Sequence, residues 1–197
     1  MDLAEKIEYK KYAIEIYYDS NGNDPRKDFD HLGKMICFHS RYSLGDEKGT
    51  DPRETMTFLK NSKAIYLPLY LYDHSGLTMS TGPFSCPWDS GQVGWIYASP
   101  ESVRKEFGKR ITKQIKEKVL KILEAEVAEY DSYLKGEVYG YQVKNEDGEE
   151  IDSCWGFIGD PKENGLIEQA QNAVDSDMRN HGEQLELKLE ETKCSTK

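Results

Sequence analysis

The sequence predicts an α+β fold, a mainly antiparallel β-sheet packed against one long helix, with shorter helices around it. Three observations predict it. Short runs rich in β-branched and aromatic residues are divided by turn residues, residues 112–133 carry apolar side chains at helical spacing, and an Asp-Gly pair separates two further runs at 137–143 and 149–157.

Residues 12–18 (YAIEIYY) alternate as a half-buried strand does, and the turn residues of DSNGNDP close it. A short apolar run at 34–38 reads as a buried strand. A polar stretch, 43–53, leads to a third strand at 64–72 (AIYLPLYLY), where Pro68 requires an edge or a bulge because it has no N–H to donate. A long loop, 73–91, connects this strand to a partner at 92–98. Ser99-Pro100-Glu101 then starts a helix, with serine as the cap and proline in the first turn. The long helix follows, with Ile111, Ile115, Val119, Ile122, Leu123, Val127 and Tyr130 repeating along one side. Asp147-Gly148 predicts a tight hairpin, because the turn needs positive φ angles that glycine takes freely. Residues 164–179 read as a polar helix. One domain over residues 1–180, with a polar, helical or frayed tail at 181–197, is the expected organisation.

The chain has 197 residues, 37% of them hydrophobic and 31% charged, with a formal net charge of -10. That balance suits a folded soluble domain with one sizeable core, and excludes both a membrane-embedded and a disordered chain. No run approaches the ~18 apolar residues of a spanning helix. The start, MDLAEKIEYKK, has no apolar signal segment, so the cytoplasm is the expected location and no membrane partner is expected. Cys37, Cys86, Cys154 and Cys194 form no CxxC pair and read as reduced thiols. The charge is unevenly spread. Residues 99–123 are basic and residues 124–197 acidic, which argues against phosphate binding by the whole surface but leaves a local basic stripe available.

The densest chemistry lies in the 73–91 loop, in Asp73-His74-Ser75-Gly76 and Ser85-Cys86-Pro87-Trp88-Asp89-Ser90-Gly91. Loops of this length tend to be functional. Three chemistries fit these residue types. His39, Asp73, His74 and Asp89 are candidate catalytic residues and ligands for Mg or Mn, with a metal-activated water attacking a phosphodiester. Alternatively, Cys86 is a nucleophile served by His39 or His74. In the third, Tyr70, Tyr72, Trp88 and Trp95 form an aromatic surface for a partner or for nucleobases, with Ser75 as a polar contact. Against all three stands a plainly structural loop, packed by Phe84 and Trp88 and capped by Asp73 and Asp89. Residues 19–30 partly mimic a calcium loop, but Asp24 occupies the glycine position and Asp30 replaces the bidentate glutamate, so a solvated turn is expected. Lys109, Lys113 and Lys116 fall on one expected face of the long helix, where they could grip phosphates or simply be solvated.

The segments Met35–Asp46 (MICFHSRYSLGD), Leu67–Gly76 (LPLYLYDHSG), Pro83–Tyr97 (PFSCPWDSGQVGWIY) and Asp152–Phe157 (DSCWGF) resemble a family of uncharacterised proteins of bacteriophages and other mobile elements. The resemblance spans most of residues 12–158 and brings no catalytic residues with it. It implies a counter-defence role, such as that of a type II anti-CRISPR, with a host defence effector such as Cas9, or its guide RNA, as the partner. A metal-dependent nuclease built on His39, Asp73, His74 and Asp89 is the alternative expectation.

Overall fold

The computed structural model describes residues 1–194, with side chains described as far as His181. In chain order the elements are β1 (Leu3–Tyr9), β2 (Tyr12–Tyr18), α1 (Pro25–Asp28), β3 (Lys34–Cys37), β4 (Glu47–Lys48), α2 (Pro52–Asn61), β5 (Ile65–Asp73), β6 (Leu77–Ser80), β7 (Ser90–Ala98), α3 (Pro100–Phe107), α4 (Lys113–Leu134), β8 (Val138–Lys144), β9 (Glu150–Ile158) and α5 (Leu166–Cys194). The α+β class holds. The chain divides into two compact units, residues 1–22 with 136–197 and residues 23–135.

The first unit is a four-stranded antiparallel sheet in the order β1-β2-β8-β9, with α5 on one face. Alternation sends Ile14, Ile16, Tyr141 and Val143 to that face, where they meet Leu166, Ala170 and Val174, spaced four apart on α5. Polar bonds fix the helix to the first hairpin. Lys10 Nζ lies 2.9 Å from Asp175, and the Tyr12 hydroxyl donates to Asp177 at 2.8 Å. The second hairpin turns through Asn145–Gly148, with Gly148 at φ +83°, the positive angle that the Asp-Gly pair announces.

On the face opposite α5, a Cβ at Gly140 would collide with the Trp155 indole, so only glycine lets that ring lie flat on the sheet. Nearby, the Glu15 carboxylate accepts from Lys144 Nζ at 2.6 Å and from the Tyr17 hydroxyl at 2.7 Å, with Lys6 Nζ at 3.4 Å. These donors, Lys144 first, hold the Glu15 carboxyl down at about 2, below its ordinary 4.5. A carboxyl with a lowered folded value stabilises fully above its unfolded value and loses that contribution as pH falls through the folded one. Glu15→Gln should therefore be less stable than the parent at pH 7, by about 1–2 kcal/mol, and the gap should close between pH 4.5 and 2. Urea unfolding of both proteins across that range measures it.

The second unit carries a five-stranded sheet in the order β4-β3-β7-β5-β6, antiparallel except for the short β3–β4 pair. One face presents Met35, Cys37, Leu69, Leu71, Met79, Ile96 and Ala98 to the α4 stripe of Val119, Leu123, Val127 and Tyr130. Each such large apolar side chain contributes about 1.5–3 kcal/mol by leaving water. Thr112 caps α4, its hydroxyl accepting from the Ile115 N–H at 3.3 Å, and Ser99 caps α3 in the same way at 3.0 Å. Arg26, fully buried in its side chain, joins α1 to α4. It reaches Glu126 at 3.0 Å, Asp46 at 2.6 Å and the Gly33 carbonyl at 2.6 Å.

The strand at 12–18, both hairpin strands of the last third, and helices α3 and α4 lie within a residue or two of their expected bounds. Pro68 also behaves as expected. β5 has a neighbour on one side only there, since β6 pairs from Tyr70 onward, and the register shifts between Leu69 and Tyr70. One expectation is corrected. The 137–157 hairpin does not join the sheet of 64–72 and 92–98. It pairs with β2 and is covered by α5, so two hydrophobic cores replace the one expected for residues 1–180. The helix expected at 164–179 runs on to Cys194, the helical form of the tail expected at 181–197, while residues 195–197 and the Cys194 side chain lie outside the described residues.

Candidate functional site

The expected 73–91 loop is not one loop. β6 pairs Leu77–Ser80 with Tyr70–Asp73, which leaves a tight turn at 74–76 and a true loop only at 81–89. Ser75 sits in that turn at φ +59° and is exposed, so its position serves the backbone reversal. The 81–89 loop is tied at its base. The Asp73 N–H donates to the Asp89 carbonyl at 2.9 Å, the Ser90 hydroxyl donates to the Cys86 carbonyl, and the Phe84 ring lies 5.6 Å from that of Tyr72. From this tied loop Trp88 projects with 92% of its surface exposed.

The four residues expected to share a metal fall into two pairs. His39 Nδ1 accepts the backbone N–H groups of Tyr42 at 3.1 Å and Arg41 at 3.3 Å, and its ring stacks on Tyr42 at 5.0 Å. Asp73 lies on the other side of Tyr42, accepting its hydroxyl at 3.4 Å and facing the Arg41 guanidinium at 3.5 Å. Separately, His74 Nδ1 lies 3.3 Å from Asp89, and the His74 ring stacks on Tyr72 at 5.9 Å. A ligand nitrogen already accepting two N–H groups has no lone pair left on that atom for a metal. Among the described residues no group of three or more His, Cys, Asp or Glu side chains is placed to hold a metal ion.

Nucleophilic chemistry at Cys86 fares no better. Its thiol donates to Asp89 at 3.8 Å, and the same carboxylate oxygen faces His74. The group beside the thiol is thus a carboxylate, where nucleophilic activation calls for an imidazole. Cys37 is a core residue, and burial pushes its thiol up to about 12.

Of the expected binding residues, Trp95 belongs to the core. Only 9% of it is exposed, and it meets Phe38 edge-on at 5.7 Å. Lys109 is not on the long helix. It lies in the connection between Gly108 and the Thr112 cap, while Lys113 and Lys116 occupy the first turn of α4, and all three are exposed. Arg41 and Tyr42 are the residues that sequence reading passed over. Arg41 donates to the Tyr42 hydroxyl at 2.7 Å and lies 4.9 Å over its ring, making a cation–π pair next to Asp73. Their only signal was adjacency to His39.

The arrangement is therefore an exposed indole on a braced loop, with an Arg–Tyr–His stack near the end of the same strand β5. Such a surface can bind, since a rigid aromatic anchor buries much area at little entropic cost. Comparison with known protein families, curated proteins and solved structures returned no match. The resemblance to mobile-element proteins accordingly rests on the quoted segments alone. No helix among the described residues is long and apolar enough to cross a membrane.

Proposed function

We propose that this chain is a binding protein of a phage or other mobile element that inhibits a host defence nuclease, docking on the effector or on its guide RNA. The observation that carries the binding reading is Trp88, whose indole is 92% exposed on a loop tied at its base. A large apolar side chain held out in water costs free energy in the isolated protein and regains it on docking. The counter-defence setting comes from the resemblance of residues 35–46, 67–76 and 83–97 to proteins of mobile elements. The absence, among the described residues, of any group of three or more His, Cys, Asp or Glu side chains placed to hold a metal ion supports binding over hydrolysis.

The test is to mix the pure protein with labelled guide RNA and with a guide-loaded Cas9, with and without Mg or Mn. Target cleavage should be inhibited while guide RNA and effector stay intact, to the same degree in each metal condition that supports the nuclease itself. Degradation of either component that depends on the added metal and on this protein would contradict the proposal.

A further inference from the structure

The α3–α4 corner of the second unit carries more positive charge than its fold uses. Between residues 104 and 121 there are eight lysines and arginines against two glutamates, in a chain whose formal net charge is -10. Lys105, Lys109, Arg110, Lys113, Lys116 and Lys121 are all exposed. Among the described residues, only Lys113 of these has a carboxylate at ion-pair distance, Glu117 at 3.9 Å. Gly108, at φ +95°, ends α3 and turns the chain so that Lys109 and Arg110 fall between the end of one helix and the start of the next.

Helix stability does not account for this placement. The positive end of the helix dipole favours acids in the first turn, yet α4 has none there and carries Lys113 and Lys116 instead. Like charges crowded at that end repel one another and the dipole. A surface of this kind is complementary to a polyanion, and it stands out against an otherwise acidic chain. Phosphate-backbone contacts use this kind of surface, several exposed ammonium groups and a guanidinium close together along the chain.

We infer that the α3–α4 corner binds the phosphate backbone of a nucleic-acid strand. The inference rests on the proposed function only in taking guide RNA as its first probe. The full-length protein is titrated against labelled guide RNA, and against DNA of the same length, over a range of salt concentrations. The same titrations are made with the variant Lys109→Glu, Lys113→Glu, Lys116→Glu. The parent should bind more weakly as salt rises, and the variant should bind less tightly with a log–log salt slope shallower by about 2. Binding of RNA and not DNA, or of both, supports the inference and says which strand is used. Equal affinity and slope in parent and variant would overturn it, as would failure of the parent to bind either strand. If the parent still inhibits the nuclease without binding nucleic acid, the proposed function survives and this inference fails. If it binds nucleic acid but inhibits nothing, the reverse holds. Melting temperatures of the two proteins, expected to agree closely because all three lysines are exposed, guard against reading an unfolded variant as a weak binder.

Discussion

Arg26→Ala is expected to destabilise the second unit by about 3–5 kcal/mol, enough to leave a marginal unit substantially unfolded. The cost comes from what the guanidinium leaves behind. Glu126 is 7% exposed, and its Oε1 accepts the N–H groups of Leu32 at 2.9 Å and Gly33 at 3.1 Å while Oε2 takes Arg26 at 3.0 Å. Asp46 accepts from Arg26 Nε at 3.2 Å and from the Met35 N–H at 2.6 Å. Alanine at 26 strands the buried Glu126 carboxylate and the part-exposed Asp46 carboxylate and orphans the Gly33 carbonyl. It also cuts the link between α1, the entry to β3 and the middle of α4, segments as much as 100 residues apart. Replacing Arg26, Asp46 and Glu126 together by apolar residues of similar volume leaves no buried charge alone but orphans the Leu32, Gly33 and Met35 N–H groups, so it should not restore the stability of the parent. Urea unfolding of the single and triple variants measures both. A loss below about 1 kcal/mol for Arg26→Ala would mean that water reaches and solvates the carboxylates.

Local pattern made much of this fold readable. The alternation of YAIEIYY, the Asp-Gly turn, the Ser99 and Thr112 caps and the α4 stripe are all set by residues within a turn or two of each other, so short windows contain them. Partnership was not readable. β2 joins β8 across more than a hundred residues, Ala13 opposite Lys144, and nothing in either strand names the other. That pairing is what divides the chain into two cores. β1 was missed because LAEKIEY is rich in helix-forming Ala, Glu and Lys, and its place as an edge strand leaves little apolar face to betray it. β6 and α2 were hidden by composition, since Leu77–Ser80 sits among turn residues and the Asp51-Pro52 start of α2 lies in a polar stretch.

In the site, residue type was legible and direction was not. Trp88 and Trp95 have the same chemistry seven positions apart, but Trp95 sits within β7, aligned with Ile36 and Pro68 across the sheet, whereas Trp88 sits in the loop after Pro87. His39 looked like a ligand because histidine so often is one. Its Nδ1 instead accepts two backbone N–H groups that the turn after β3 would otherwise leave unpaired, a role that depends on backbone geometry no pattern encodes.

Trp88→Ala should weaken docking by at least about 2 kcal/mol, close to 30-fold in Kd, without lowering the melting temperature. The first half follows from the kind of side chain at stake, since tryptophan is enriched among the few residues that dominate interface energy. The second follows from its exposure: a side chain 92% in water has little packing to lose, and the ties that shape its loop, from Ser90 to the Cys86 carbonyl and from the Asp73 N–H to the Asp89 carbonyl, do not involve the indole. Trp95→Ala is the contrasting case, a core truncation that should act through stability. The central claim is therefore tested most directly by titrating parent and Trp88→Ala protein against a guide-loaded Cas9, reading the concentration that halves target cleavage, with melting curves of both proteins alongside. The account predicts an inhibitory concentration raised by about 30-fold at an unchanged melting temperature. Equal inhibition by the two proteins, or a weakened variant that also melts earlier, would contradict it.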